Sequence, residues 1–539
     1  MMLKMSFLLT KKWYKLWAIL IILLALGLRL YQLGKVPAGM TWDEAAIGYN
    51  GYAILETRRD EWLQKLPVSF RSFGDYKAPL AIYLNGIFTF ALGMNLTAVR
   101  VPFVIGGVLA VWGMMLLTLE LTKNQALSLA AGWLLALSPW HLHFSRAGFE
   151  SGLALTMIIW GSYFFFKFIN SKTSQLKTSL YLLGSVVMWA ASLYTYHSTK
   201  VFVPLFGLVL LIKYRQLLWE RKKVVAVSGG LGLVLVYPLI KDALVGHGLE
   251  RAGVTIFDSL NGSELIITLL RNLWLHLSPA FLIFGETTTL RHGPGTWGVL
   301  LPTTLLLVIV GSYYLIKTRR RLLLFAGGWI FIGLVPAVIG SEVPHSNRAL
   351  LALPGFILLA VVGFDLWLKQ IHNWPLNQKI KSSRGQANQI QTAVIGLIIL
   401  AHGLFFLSYQ QHYYKVFAKN SADDFKEGYL DALTYVRAYE EQVDKIIFAD
   451  DYGQPYIYAL FVRKTNPIWY QGGSLHKYEF TNQINLGDLL RPRIIVVASG
   501  ADDLPTKAAD RVIYGSDGSI RFKIYLPTEI RAAHESEIY

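Results

Sequence analysis

A chain of 539 residues that is 54% hydrophobic and 14% aromatic but only 16% charged lies well below the roughly 25% charged usage of soluble domains, which excludes an ordinary soluble globular protein. Cysteine is absent, which excludes a disulfide framework and thiol chemistry. The formal charge of +17 would point to nucleic acid in a soluble protein, so its meaning depends on where the basic residues fall.

Apolar runs near the roughly 20 residues that a helix needs to cross a bilayer recur over about the first 410 positions. They predict about eleven spans, near 16–33, 99–121, 126–140, 152–169, 178–195, 198–212, 224–240, 297–316, 322–340, 349–368 and 393–409. The first is read as a retained span, because no small-residue cleavage site follows "ALGLRLYQLGKVP". Basic segments fall between alternate spans: "KKWYK", "TKNQ", "NSKTSQLK", "KYRQLLWERKK", "KTRRR" and the stretch from Lys369 to Arg384. This is the positive-inside pattern, with the N-terminus cytoplasmic. The charge therefore reports topology, and no nucleic-acid partner is expected.

Residues 265–284, "LIITLLRNLWLHLSPAFLIF", are apolar enough to tempt a twelfth span. Parity argues against it, because "KTRRR" would move outside while Arg271, Asn272, His276 and Pro279 sat mid-span, so this segment is expected to lie on the outer surface. The architecture expected is a membrane all-α bundle over residues 1–411, with long outer loops at 34–98 and 241–296, and an extracytoplasmic α/β domain over 412–539. In that tail "ADDFKEGYLDALTYVRAYEE" reads as a helix, and "KIIFAD", "YIYALFV" and "RIIVVAS" read as strands.

On this topology the polar residues outside the tail that stand out, Asp43, Glu44, Lys77, Arg146, Glu150, His197, Lys200, Glu286, His345 and Arg348, all fall in outer loops or at outer ends of spans. A transporter would place ionisable residues near the midplane. In "TWDEAAIGYN", Asp43 and Glu44 form an adjacent acidic pair at the start of a helical pattern, where acids also serve simply as caps. "GDYKAPLAIYL" sets Lys77 just before a helix-opening proline, and "SPWHLHFSRAGFES" spaces Arg146 and Glu150 at i and i+4, the spacing of a helical ion pair. "YTYHSTKVFVPL" supplies His197 and Lys200, and "SEVPHSNRALLALP" supplies His345 and Arg348. Several cations and acids on one face suit a lipid-linked phosphate: Lys and Arg stabilise the leaving phosphate, and a carboxylate takes the proton of an acceptor hydroxyl. No His or carboxylate cluster has convincing metal spacing, so no metal or cofactor is expected beyond the lipid-linked sugar itself.

The order of these elements resembles the integral-membrane glycosyltransferases of the GT-C fold, in the branch of the protein O-mannosyltransferases and the aminoarabinose transferase that modifies lipid A. The resemblance covers about residues 16–370, and the later helix and "YIYALFV" look like the tail of bacterial members. It implies an inverting transfer of a sugar from a polyprenyl-phosphate donor to a protein, lipid or glycan hydroxyl, at the outer face of the cytoplasmic membrane. "WDEAAIGYN" with "DYKAPL" matches the acidic pair and Lys-Pro element of the first outer loop, which puts Asp43 in the place of the catalytic base. The family's lysine is followed by two prolines and here by "KAP", which leaves the role of Asp75 open. By the same resemblance Glu44, Glu150 and His197 contact acceptor or sugar, while Lys77, Arg146, Lys200, His345 and Arg348 hold the donor phosphate. Two other readings stand beside it: an O-antigen-ligase-like envelope enzyme with His197 or His345 as base, and a transporter or flippase of lipid-linked sugars.

Overall fold

A computed structural model describes residues 11–171, 175–246, 255–258, 260–285, 289–377, 384–473 and 475–531. The chain divides into two compact units. One, here the helical unit, comprises residues 1–31 and 103–412; the other, here the sheet-bearing unit, comprises residues 32–102 and 413–539. The tail therefore groups with the first long loop and does not form a unit from residue 412 alone.

Among the described residues, nine helices are long and apolar enough to cross a membrane, including Lys11–Leu30 (α1), Leu96–Thr122, Lys222–Val245 and Ser346–Gln370. This is a multi-pass membrane protein. The expected third, sixth and eighth spans are shorter helices, Gln125–Ala136, Thr199–Lys213 and Pro302–Thr318. The segment expected to lie on the surface is instead one of the nine by length and hydropathy, a helix Gly262–Leu277 continued after Ser278 by Pro279–Ile283. Its polar residues are satisfied within the fold: Asn272 is buried and its side chain donates to the Val338 carbonyl at 2.9 Å. Most of the Lys369–Arg384 stretch lies outside the described side chains.

Helices of this unit meet through small residues, as membrane helices do where no hydrophobic drive separates lipid from protein. Pro302–Thr318 crosses Leu353–Asn377 with Gly311 against Gly363; a Cβ on Gly363 would lie 2.1 Å from the Gly311 Cα. The outward faces are apolar, with Leu233, Val234, Leu244, Ile316 and Leu404 exposed, as a hydrocarbon solvent requires.

In the sheet-bearing unit, Trp42–Thr57 (α2) is followed by a hairpin of Phe70–Ser72 (β1) and Asp75–Lys77 (β2), then by Leu80–Leu92 (α3). Helices α2 and α3 touch backbone to backbone: a Cβ on Gly51 would lie 2.6 Å from the Gly86 nitrogen. The tail builds a five-stranded mixed sheet from Lys445–Ala449 (β3), Tyr478–Thr481 (β4), Ile494–Ser499 (β5), Arg511–Tyr514 (β6) and Ile520–Tyr525 (β7), in the order β4-β3-β5-β7-β6. Strand β3 is parallel to β4 and β5, and β7 is antiparallel to β5 and β6.

"KIIFAD" and "RIIVVAS" form strands as expected, but "YIYALFV" lies in the helix Pro455–Arg463. The reason is topological: β3 and β4 run parallel, so the chain between them must cross over, and a helix is the usual way to do so. Pro455 opens that helix, and Ile457, Tyr458, Leu460 and Phe461 are buried. Phe461 packs so closely on α2 that a Cβ on Gly48 would lie 2.7 Å from its ring, and the Tyr458 hydroxyl donates to the Met40 carbonyl at 2.8 Å.

Arg100, in the part of helix Leu96–Thr122 that belongs to this unit, is fully buried. Its Nε donates to Glu44 Oε1 at 2.7 Å, and its two terminal nitrogens donate to the carbonyls of Leu33, Pro37 and Gly39. Removing one partner of a buried pair leaves an uncompensated charge at about 3–5 kcal/mol. Arg100→Ala is therefore expected to lower the thermal unfolding midpoint of the detergent-solubilised protein steeply, and a midpoint within a degree or two of wild type would contradict this role.

Candidate active site

The adjacent acids of α2 do different things. Thr41 caps the helix: its hydroxyl accepts from the Glu44 amide at 3.1 Å, and its own amide donates to Glu44 Oε2 at 3.0 Å, closing a capping box. With its oxygens also taken by Arg100, the Glu44 side chain is only 1% exposed. The Glu44 carboxylate is thus engaged by the fold itself. Asp43, one residue earlier, is 22% exposed and forms an ion pair with Lys77, whose side chain is 8% exposed.

The β1–β2 hairpin makes that pairing possible. Its register sets Phe70 opposite Lys77 and Ser72 opposite Asp75, so Lys77 ends β2 close to α2, and Phe73 at the turn lies 5.8 Å from its ammonium. Asp75 is half-buried, and its carboxylate accepts from the Tyr76 amide at 2.7 Å.

In the helical unit, residues 144–149 are not helical and Glu150 opens the helix Glu150–Asn170, so Arg146 and Glu150 do not share one helical face. Arg146 is fully buried, and its terminal nitrogens donate to the carbonyls of Leu28, Arg29 and Tyr31 at 2.6, 3.1 and 2.8 Å. It secures the C-terminal end of α1. Arg29 acts alongside it, with Nε on Ser145 Oγ at 2.9 Å and a terminal nitrogen 2.8 Å from His141 Nδ1.

The "SPWHLH" motif meets the "PHSNR" motif. Trp140 Nε1 donates to the Ser346 carbonyl at 2.9 Å, the Ser346 hydroxyl bonds the His292 carbonyl, and His143 Nε2 lies 2.8 Å from the Arg291 carbonyl. The rings of His292 and His345 stand 4.3 Å apart. His345 accepts from the Arg348 amide at 3.4 Å and lies 3.5 Å from Glu342. Burial, together with nearby His292, Arg348 and His276, holds its imidazole far below the usual histidine range and therefore neutral. His276 Nε2 accepts from the His345 amide at 3.0 Å while Nδ1 faces the Asn272 carbonyl at 2.8 Å, which sets its tautomer. Arg348 is half-buried over Gly340.

His197 and Lys200, both half-buried, sit at the head of helix Thr199–Lys213, whose Phe202 packs on Trp329. Glu286 lies outside the described residues. Sequence reasoning passed over Arg100 and Glu61. An arginine at the start of an apolar run is itself a signal, since an ionisable group there needs a partner or a function.

No family model matches the sequence, and no curated protein matches it. Solved structures do. ArnT from Cupriavidus metallidurans bound to undecaprenyl phosphate superposes with a TM-score of 0.57 at 11% identity, over 94% of this chain and 98% of that one. The Archaeoglobus fulgidus oligosaccharyltransferase in its apo form gives 0.54 at 14%, over 91% and 70%. Archaeal oligosaccharyltransferase AglB from the same organism, in complex with an inhibitory peptide and a dolichol-phosphate, gives 0.51 at 15%, over 84% and 64%. This chain has the GT-C fold. It spans 64% of the length of the AglB chain it matches.

Within this GT-C chain, Glu61 is fully buried, and burial pushes its carboxyl up to about 8, against a hydrogen bond from Asn50 and with Asp60 adding to the rise. Between about 4.5 and about 8 the folded chain holds a proton that the unfolded chain has lost, so stability falls as pH rises through that window. We expect a loss on the order of a few kcal/mol from pH 5 to 8, read as a falling unfolding midpoint. Glu61→Gln should flatten that slope; an unchanged slope would assign it to other groups.

Proposed function

We propose that this chain is an inverting glycosyltransferase that moves a sugar from a polyprenyl-phosphate donor to an acceptor hydroxyl at the outer face of the cytoplasmic membrane. The observation that carries this is the division of labour at residues 43 and 44: one carboxylate is sealed in the fold and the other is left partly exposed beside a buried lysine. Support for the donor class comes from the GT-C fold and from two similar structures that hold undecaprenyl phosphate and a dolichol-phosphate.

Asp43 takes the proton of the acceptor hydroxyl, and its ion pair with Lys77 holds it in place. The acceptor oxygen attacks the anomeric carbon as the carbon–oxygen bond to the phosphate breaks, and polyprenyl phosphate leaves with the electron pair. Lys200 and Arg348 are the cations assigned to that phosphate, and the neutral His345 contributes a hydrogen bond. Glu150 and His197 are assigned to sugar or acceptor. The acceptor is a hydroxyl of a protein, lipid or glycan.

The test is release of free polyprenyl phosphate from a panel of radiolabelled polyprenyl-phosphate sugars by purified protein in lipid, with an envelope extract as acceptor. Asp43→Asn should reduce release about 10²–10⁴-fold, with the fold retained by circular dichroism. Equal release by the variant would remove Asp43 as base. Labelled lipid crossing the bilayer without release would favour a flippase.

The leaving phosphate is balanced by fixed cations, so chelation with EDTA should leave the rate within about twofold of the untreated enzyme. Loss of turnover restored by added Mg²⁺ or Mn²⁺ would replace part of the cation assignment with a metal.

A further inference from the structure

The sheet-bearing unit carries an open cleft of about 470 Å³ whose walls include Trp62, Arg71, Phe73, Tyr456, Tyr470 and Tyr478. That volume lies in the range of small-ligand sites, roughly 300–1,000 Å³. Its aromatic walls are fixed in place. Asp60 accepts from the amides of Trp62 and Gln64 at 2.9 and 2.8 Å, and the Trp62 indole donates to the Arg71 carbonyl at 3.2 Å. The Arg71 guanidinium stands 4.4 Å over the indole ring. Gly472, at φ +63°, lies against the indole, where a Cβ would come within 2.7 Å of it. Any other residue at 472 would move the ring.

Next to Trp62 in the chain stands a group that the fold does not use fully. Glu61 is completely buried; one oxygen accepts from the Asn50 amide at 3.2 Å, and the other has no hydrogen-bond partner. Its backbone carbonyl lies near Gly472 of the cleft, 3.6 Å from where a Cβ on that residue would stand.

We propose that this cleft binds a pyranose ring of the acceptor, which makes the acceptor a glycan or glycolipid. Aromatic rings offer their negative faces to the C–H groups of a sugar, while the Arg71 guanidinium donates hydrogen bonds to its hydroxyls. A purely apolar occupant would leave that guanidinium unused. The cleft also connects to the candidate base: Trp42, next to Asp43, packs edge-on against Phe73 with centroids 6.4 Å apart, and Phe73 packs likewise on Tyr456 at 6.1 Å. The inference rests on the glycosyl-transfer reading for the word acceptor.

The experiment is saturation-transfer NMR on the full chain in lipid nanodiscs, with the methyl pyranosides of glucose, mannose, galactose and N-acetylglucosamine, and with chitotriose. At least one probe should receive saturation on its ring C–H face. Its affinity should fall tenfold or more in Trp62→Ala and in Arg71→Ala, remain within about threefold in Trp62→Phe, and be unchanged in Asp43→Asn. If no probe is saturated, or if both alanine variants bind as wild type does, the cleft is not a saccharide site. Release of polyprenyl phosphate is measured on the same preparations. Asp43-dependent release without probe binding overturns this inference and leaves the transferase reading standing; probe binding without release keeps the saccharide site and removes the transferase reading.

Discussion

The buried pair of Arg100 and Glu44 is the constraint on which the sheet-bearing unit depends. Two charges out of water are unfavourable unless each meets the other and every remaining hydrogen-bonding position is filled. Here the guanidinium gathers three backbone carbonyls from residues 33–39 as well as the carboxylate, and the carboxylate gathers the start of α2. The entry of the chain into α2 is therefore set by electrostatics in a dry interior, where geometry is enforced more strictly than apolar contact alone would enforce it.

What that constraint fixes is direction. With residue 44 turned inward, residue 43 has one helical step in which to face elsewhere, and the hairpin brings Lys77 to meet it. The helical unit shows a related economy. Arg29 and Arg146 are spent on backbone carbonyls and on Ser145 and His141, which leaves Lys200 and Arg348 only half-buried. In both units the charged groups assigned to chemistry are those the fold leaves partly exposed.

Much of this architecture was legible in the sequence because membrane solvent writes a strong signal: long apolar runs, basic segments at intervals and a polar tail. Three features were not. "YIYALFV" carries β-prone residues, and its helicity comes from the parallel pairing of β3 with β4, a long-range fact. Residues 265–284 hold Asn272 and His276, whose polarity is met inside the fold by partners at Val338 and His345, far away in the sequence. Arg146 and Glu150 have helical spacing in the sequence, yet the chain turns between them. Of the candidate site, Asp43 and Lys77 stood out in the sequence, but which acid is sealed in the fold and which stays partly exposed depends on Arg100, 56 residues from Glu44 in the sequence.

The sheet-bearing unit is discontinuous along the chain, since its first segment ends at Pro102 and its second begins at Tyr413. This has a consequence for biogenesis. During synthesis α2 and its hairpin emerge early, but the strands and the helix Pro455–Arg463 that cover Tyr49 and Gly48 arrive only after the whole helical unit has been made. The nascent segment must wait with apolar surface uncovered while the intervening helices enter the bilayer, a condition that invites aggregation or degradation. Quality control of this protein therefore turns on the segment after residue 413, and a premature stop before it would leave a membrane-inserted bundle whose Asp43 segment never acquires its support.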